Sequence, residues 1–157
     1  MFPNSTTHNS APADDQLDVI TNNGFWPDID PNAFREEERV FKVTPPRLRQ
    51  SLRAATADVN RQLANYQHEQ QQAGRLTCDA IPPEVWQTPG DISLLYTRAV
   101  YAQAQADLLE RYRDASATGK GDERGEAKDL AADDYRADAR WAIAELVGRT
   151  HTTVELI

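Results

Sequence analysis

One cysteine in the whole chain, Cys78, leaves no internal disulfide to form, and no histidine stands beside it in a recognisable signature. A reduced, cytosolic folding compartment fits, with stability left to packing. Histidine is nearly as scarce. His8, His68 and His151 lack ligand partners at a metal-binding spacing; His68 and Glu69 begin a zinc-protease pattern, but Gln72 stands where its second histidine belongs. All three read as solvated surface residues, and neither metal nor cofactor is expected. Positive charge is also in deficit, with 17 Lys and Arg against 25 Asp and Glu, a net charge of −8 and a pI near 4.8. Such a surface repels nucleic acid and anionic membrane. No apolar run approaches the length of a membrane span, and Met1 to Asp15 lacks the basic and apolar parts of a signal peptide. The chain is therefore expected to be soluble, without a membrane partner and not exported by that route. Large apolar side chains are short too. Hydrophobic residues make up 39% of 157 residues, and many are alanines, so one thin core of closely packed helices is expected, with room for neighbouring subunits to complete the burial.

What the chain does hold is a set of helix signals. Residues 1–23 are rich in Asn, Ser, Thr, Pro and Asp, with Leu17, Val19 and Ile20 as a small apolar cluster, and read as a mobile arm. Gly24 to Pro31 then packs two aromatics and two prolines together. Asp30 before Pro31 is a cap followed by a proline in the first turn, so a helix is expected from about Pro31 to Phe41, with Phe34 and Phe41 on one side. Phe25 and Trp26 precede it as apolar anchors, either a hydrophobic staple sealing one end of a bundle, the preferred reading, or a plug for a partner's pocket. Thr44, Pro45 and Pro46 repeat the signal. Behind them Leu48, Leu52, Ala55, Val59, Leu63 and Tyr66 recur at steps of three and four, a helix that should stop at Gly74. Arg75 to Gly90 carries three prolines and reads as a connecting loop pinned by Trp86. A third helix from about Asp91 should bury Ile92, Leu95, Ala99, Ala102, Ala106, Leu109 and Tyr112. Ser116 to Gly125 reads as a polar loop. A fourth helix from about Glu126 to Val147 should turn Leu130, Ala137, Trp141 and Ala144 inward and stop at Gly148. Residues 149–157 end in Val154, Leu156 and Ile157 and are suited to adding a strand to a partner. There is no internal repeat and no sustained heptad.

No motif makes an active site. Gly119 and Lys120 suggest a phosphate loop, but Asp114 takes the place of its first glycine, Gly121 that of its hydroxyl, and no strand precedes it. Asp133, Asp134 and Asp138 alternate with Arg136 and Arg140 at helical spacing, the pattern of a solvated, salt-bridged face rather than of a catalytic pair. Arg47, Arg49, Arg53 and Arg61 form the one local basic concentration. Arg49 and Arg53 share a face and could meet phosphates or an acidic partner; the plainer reading pairs them with Glu36 to Glu38 and Asp58.

Six segments in order carry a resemblance: Phe25-Trp26-Pro27-Asp28-Ile29-Asp30, Thr44-Pro45-Pro46-Arg47-Leu48-Arg49, Tyr96-Thr97-Arg98-Ala99-Val100, Glu110-Arg111-Tyr112-Arg113, Lys120-Gly121-Asp122 and Asp138-Ala139-Arg140-Trp141-Ala142. By their order and spacing the chain resembles head completion proteins of the GPL family, found in temperate bacteriophages with contractile tails, from about Phe25 to Ile157. The arm and the loop Arg75 to Gly90 depart from the family pattern. The resemblance implies a non-enzymatic virion protein that acts after DNA packaging, when the motor leaves the portal vertex, and renders packaged DNA inaccessible to nuclease. By analogy with helical head-to-tail adaptors it implies a ring of about twelve copies under the portal.

The expectation is thus an all-α protein: a four-helix antiparallel bundle over residues 25–148, with a flexible arm over 1–24 and a short extended tail over 149–157. Its expected partners are the portal protein, neighbouring copies of itself and the next neck or tail-terminator protein, with packaged DNA passing nearby without specific binding. Partner contacts are assigned to Phe25, Trp26, Arg49, Arg53, Arg149, Val154, Leu156 and Ile157, in the host cytoplasm during assembly and then at the virion neck. Two alternatives remain. A DNA-recognition subunit of the packaging machine would need a helix-turn-helix and a basic face, which a net charge of −8 disfavours, and a small helical enzyme would have to use the Asp133, Asp134 and Asp138 cluster.

Overall fold

The computed structural model describes residues 16–114 and 121–148. Five α-helices form, and no strand occurs among the described residues: α1 (Pro31–Glu37), α2 (Pro45–Gln62), α3 (Ala64–Gln72), α4 (Asp91–Asp114) and α5 (Gly121–Leu146), with a 3₁₀ turn at Cys78–Ala80. The fold is all-α. The starts follow the sequence signals, since Asp30 accepts a hydrogen bond from the Asn32 amide at 2.9 Å and prolines open both α1 and α2. Two ends do as well. At Gly74 the chain takes φ +84, and the amides of Gly74 and Arg75 reach back to Gln71 and Gln70, the double hydrogen bond of a Schellman cap; Gly148 turns the end of α5 in the same left-handed conformation.

Several boundaries differ from expectation, each for a local reason. Helix α1 stops at Glu37 rather than reaching Phe41, because Arg39 adopts φ 54 and Val40 bonds back to the Arg35 carbonyl. The turn directs Val40 and Val43 inward and leaves Phe41 66% exposed. The second expected helix is divided at Leu63, whose amide still bonds to Val59 while its carbonyl accepts from Gln67, so the hydrogen bonds continue through a bend. Helix α5 begins at Gly121, inside the expected polar loop.

Helix α4 is the centre. Its Asn60-bonded Tyr96 and Ser51-bonded Asp107 face α2, Tyr101 and Gln105 face α1, and Arg98 and Glu110 face α5. A helix covered on three sides must be apolar nearly all round, and Ile92, Ala99, Val100, Ala104 and Leu108 are buried along it. Both neighbours run antiparallel to it. Asn60 meets Tyr96 while Ser51 meets Asp107; Arg98 meets Asp138 while Glu110 meets Arg136. Among the described residues α2 and α5 do not pack closely on each other, so the arrangement is a central helix with three flanks, and a closed four-helix ring of contacts is not what the chain forms.

The inward face of α5 is also not the expected one. Ala132, Ala139, Ala142 and Leu146 are buried, whereas Leu130 and Trp141 are 68% and 54% exposed and Ala137 and Ala144 are half-buried. Two apolar stripes lie on this helix, and the small one faces α4 because alanines let the axes approach closely. Leu130→Ala should therefore change stability by no more than about 0.5 kcal/mol. Ala139→Leu should cost about 1–3 kcal/mol by overpacking the α4 contact, as measured by denaturant unfolding.

Candidate functional site

The segment before α1 is locked in place by aromatic stacking. Trp26 lies between Tyr96, at 4.8 Å and 5° between ring planes, and Tyr66, at 6.4 Å and 16°, while Phe25 meets it edge-on at 4.8 Å. Polar groups close the box. Asn22 donates to the Tyr96 hydroxyl at 2.8 Å, Tyr96 donates to Asn60 at 2.7 Å, and Asn60 donates back to Asn22 at 2.9 Å. Ile20 pairs with Ile29 through two backbone hydrogen bonds, Asn32 bonds both backbone groups of Leu17, and the Asn23 side chain accepts from the amides of Phe25 and Trp26. Residues 16–24, part of the expected arm, thus lie on the helical body, with Ile20 buried.

This geometry corrects one assignment. Phe25 and Trp26 are each 2% exposed, so they are core residues and offer no plug to a partner's pocket. The loop over 75–90 is likewise held by buried Cys78 and Ile81, with the Cys78 amide donating to the Phe25 carbonyl at 2.9 Å, while Trp86, the expected pin, is exposed. Burial raises the pKa of the Cys78 thiol, opposed in part by the hydrogen bond with Ser93, 3.2 Å from its sulfur.

The remaining assigned residues divide between the surface and the undescribed tail. Arg49 is half-buried and donates to the Asp18 carbonyl at 2.7 Å, another tie between the segment before α1 and the body. Arg53, one turn along the same side of α2, is exposed, as is Arg47. Of the acids expected to pair with the four arginines, Asp58 holds Arg61 at 3.1 Å as expected, while Glu38 accepts from Gln105 at 3.2 Å. Arg149, Val154, Leu156 and Ile157 lie outside the described residues.

The acidic cluster on α5 holds arginines. Asp133 bonds Arg136 at 2.8 Å, Arg136 also contacts Glu110 on α4, and Asp138 bonds Arg98 at 3.3 Å. Glu110 and Asp133 raise the pKa of Arg136 further, Glu110 contributing most. Paired carboxylates of this kind form a salt-bridged surface. His68 is exposed on α3, and among the described residues no group of three or more His, Cys, Asp or Glu is placed to hold a metal ion. Nor is any described helix long and apolar enough to cross a membrane.

A groove of about 380 Å³ lies between the end of α5 and the proline-rich loop, lined by Tyr66, Ile81, Trp86, Ile92 and Leu146 among others, and no local pattern marks it. It depends on contacts between segments far apart in the chain. The exposed side chains Leu130 and Trp141 were legible only as members of a helical stripe, and Leu94 lay off the stripe expected for its helix. Together with the α2 arginines, these surfaces are of a kind that can bind a macromolecule.

Comparison with known proteins finds head completion proteins. The family described as phage head completion protein (GPL) matches residues 20–157. The head completion/stabilization protein of Escherichia phage P2 is 36% identical over 147 residues, covering 93% of this chain and 86% of that protein. The probable head completion/stabilization protein of Haemophilus phage HP1 (strain HP1c1) is 28% identical over 142 residues, covering 88% and 92%. No solved structure matches the chain.

The aromatic lock has a pH signature. Burial first, opposed by the Asn22 hydrogen bond, raises the Tyr96 pKa to about 12; burial and the nearby charges of Glu37, Asp30 and Glu38 raise that of Tyr101 to about 12. Both folded values exceed the unfolded value of about 10, so the stability they contribute is complete below pH ~10 and is lost as pH rises toward 12. Absorbance titration should show Tyr96 and Tyr101 ionising late, together with unfolding in that window. Tyr96→Phe should remove one late step and lower stability at neutral pH by about 1–2 kcal/mol, because Asn22 and Asn60 lose a buried partner.

Proposed function

The chain belongs to the phage head completion protein (GPL) family, and from that membership we propose that it is a virion component that completes and stabilises DNA-filled heads by acting as an adaptor at the portal vertex. The observation that carries this reading is the family match over residues 20–157, nearly all of the described body. The physical character of the molecule supports it. Its own core is closed around α4, yet Leu94, Leu130 and Trp141 remain exposed, which suits a subunit whose burial is finished by neighbours in a ring. Its net charge of −8 suits a conduit that must pass DNA without trapping it. The mechanism is binding and occlusion.

In this reading the portal protein is held through residues 149–157, whose Val154, Leu156 and Ile157 add a strand to a portal subunit, and the next neck or tail-terminator protein binds the opposite side. Assembly takes place in the host cytoplasm and leaves the protein at the virion neck. Phage lacking this protein should still fill heads, and added nuclease should digest the packaged DNA; supplying the full chain should restore protection. Nuclease-resistant heads in its absence would refute the function. A chain lacking Val154 to Ile157 should leave heads sensitive as well, and full protection by that shortened chain would rule out the tail's part in it.

A further inference from the structure

Two flanks of α4 present surfaces of opposite character. On α2 the outward residues include Arg47, Gln50, Arg53, Ala54, Ala57 and Arg61. The helix has four arginines and a single acid, Asp58, which Arg61 already holds at 3.1 Å; Arg47 and Arg53 have no ion pair among the described residues. In a protein of net charge −8 this is a concentrated basic strip, and its centre is flattened by two exposed alanines. On α5 the outward stripe is Leu130, Asp134, Ala137 and Trp141, which share a face at steps of four, three and four, with exposed Asp133 beside them. One strip offers cations around small side chains. The other offers large apolar side chains flanked by acids.

We infer that these are the two halves of one interface, in which the outer face of α2 of one copy receives the outer stripe of α5 of the next. Ala137 is set against Ala54 and Ala57, Leu130 and Trp141 lie to either side of these alanines along the helix, and Arg53 meets Asp134 with Arg47 adding to the positive field. The complementarity of charge and of size selects a second copy as the occupant. A nucleic acid would use the arginines but leave Leu130 and Trp141 uncovered. Direction agrees as well. Both helices are antiparallel to α4 and hence parallel to each other, so a rotation about an axis along the helices brings α2 against the neighbour's α5 without inverting either copy. Different faces used on the two sides make the contact heterologous, the kind that closes into rings. An arginine over the Trp141 ring would add a cation–π contact.

The inference rests on the adaptor reading for its setting, but the contact itself is tested on full-length protein alone and on purified filled heads. Ala54→Cys and Ala137→Cys are introduced singly and together and treated with a short bismaleimide; Cys78 is buried and present in every arm. The double variant should give a ladder of oligomers and an equal mixture of the two singles should give a dimer, with each single alone at background. Arg47→Glu with Arg53→Glu should reduce cross-linking at least tenfold while helical content and melting temperature hold, and Asp134→Arg in the facing chain should recover part of it. Raising salt should weaken the contact.

Equal cross-linking of a single variant with itself would show a two-fold contact and overturn the proposal. So would the absence of a ladder both in solution and in filled heads. Undiminished cross-linking by the Arg47→Glu, Arg53→Glu chain, with loss of binding to a DNA fragment, would assign the strip to nucleic acid instead. A ladder accompanied by heads that remain nuclease-sensitive would count against the adaptor function and leave the interface standing.

Discussion

Trp26, stacked between Tyr96 and Tyr66, is the contact on which the rest of the molecule depends, because it joins three parts of the chain. Tyr96 belongs to the central helix, Tyr66 to α3, and Trp26 to the extended segment that leads into α1. Burying these rings contributes several kcal/mol, and the ring contacts add about 0.5–1.5 kcal/mol per pair. The polar circuit of Asn22, Tyr96 and Asn60 then sets which way the segment runs. With the segment fixed, Phe34 is directed onto Tyr101 at 5.0 Å and Arg49 reaches the Asp18 carbonyl. The apolar positions that could have served as bait for a partner are spent on the core, and the docking surfaces must be sought elsewhere.

Covering α4 on three sides has a second consequence. A chain with 39% hydrophobic residues has few large side chains to give, and most of these go to the α1 and α2 sides, where Phe34, Leu48, Leu52, Val59 and Leu63 are buried. The α5 side is closed largely with alanine, which packs by close approach rather than by area. Alanine on the inner face leaves Leu130 and Trp141 on the outer one. An exposed apolar stripe beside acids, on a flank that does not touch α2, is the feature that makes this small body suited to assembly.

Much of the fold was legible in the chain. The caps at Asp30 and Gly74, the prolines opening α1 and α2, and the buried stripe from Leu48 to Leu63 followed from local rules, because each depends on residues within a few turns of one another. The failures share a different physical origin. Periodicity on α5 marked two apolar stripes, and only the partner helix decides which is buried; the larger side chains suggested the wrong one. For α4 a single stripe was expected, but a helix enclosed on three sides carries its signal as a lack of periodicity, with Tyr96, Val100, Tyr101 and Leu108 buried off the expected line. Trp26 was legible as an anchor, but its partners lie 40 and 70 positions away, beyond any local pattern. Of the assigned contact residues, Arg53 is at the surface, Arg49 ties down the segment before α1, and Phe25 and Trp26 are internal.

In the proposed function this body, closed around α4 and unfinished on its flanks, works as one subunit of a ring at the portal vertex. The measurement that tests it most directly is an electron cryomicroscopy reconstruction of the neck of intact virions at a resolution that traces helices. The account predicts density for the five-helix body directly beneath the portal, repeated around the channel, with α2 of each copy against α5 of the next. Virions whose neck lacks this density, or copies that sit apart from one another, would contradict it.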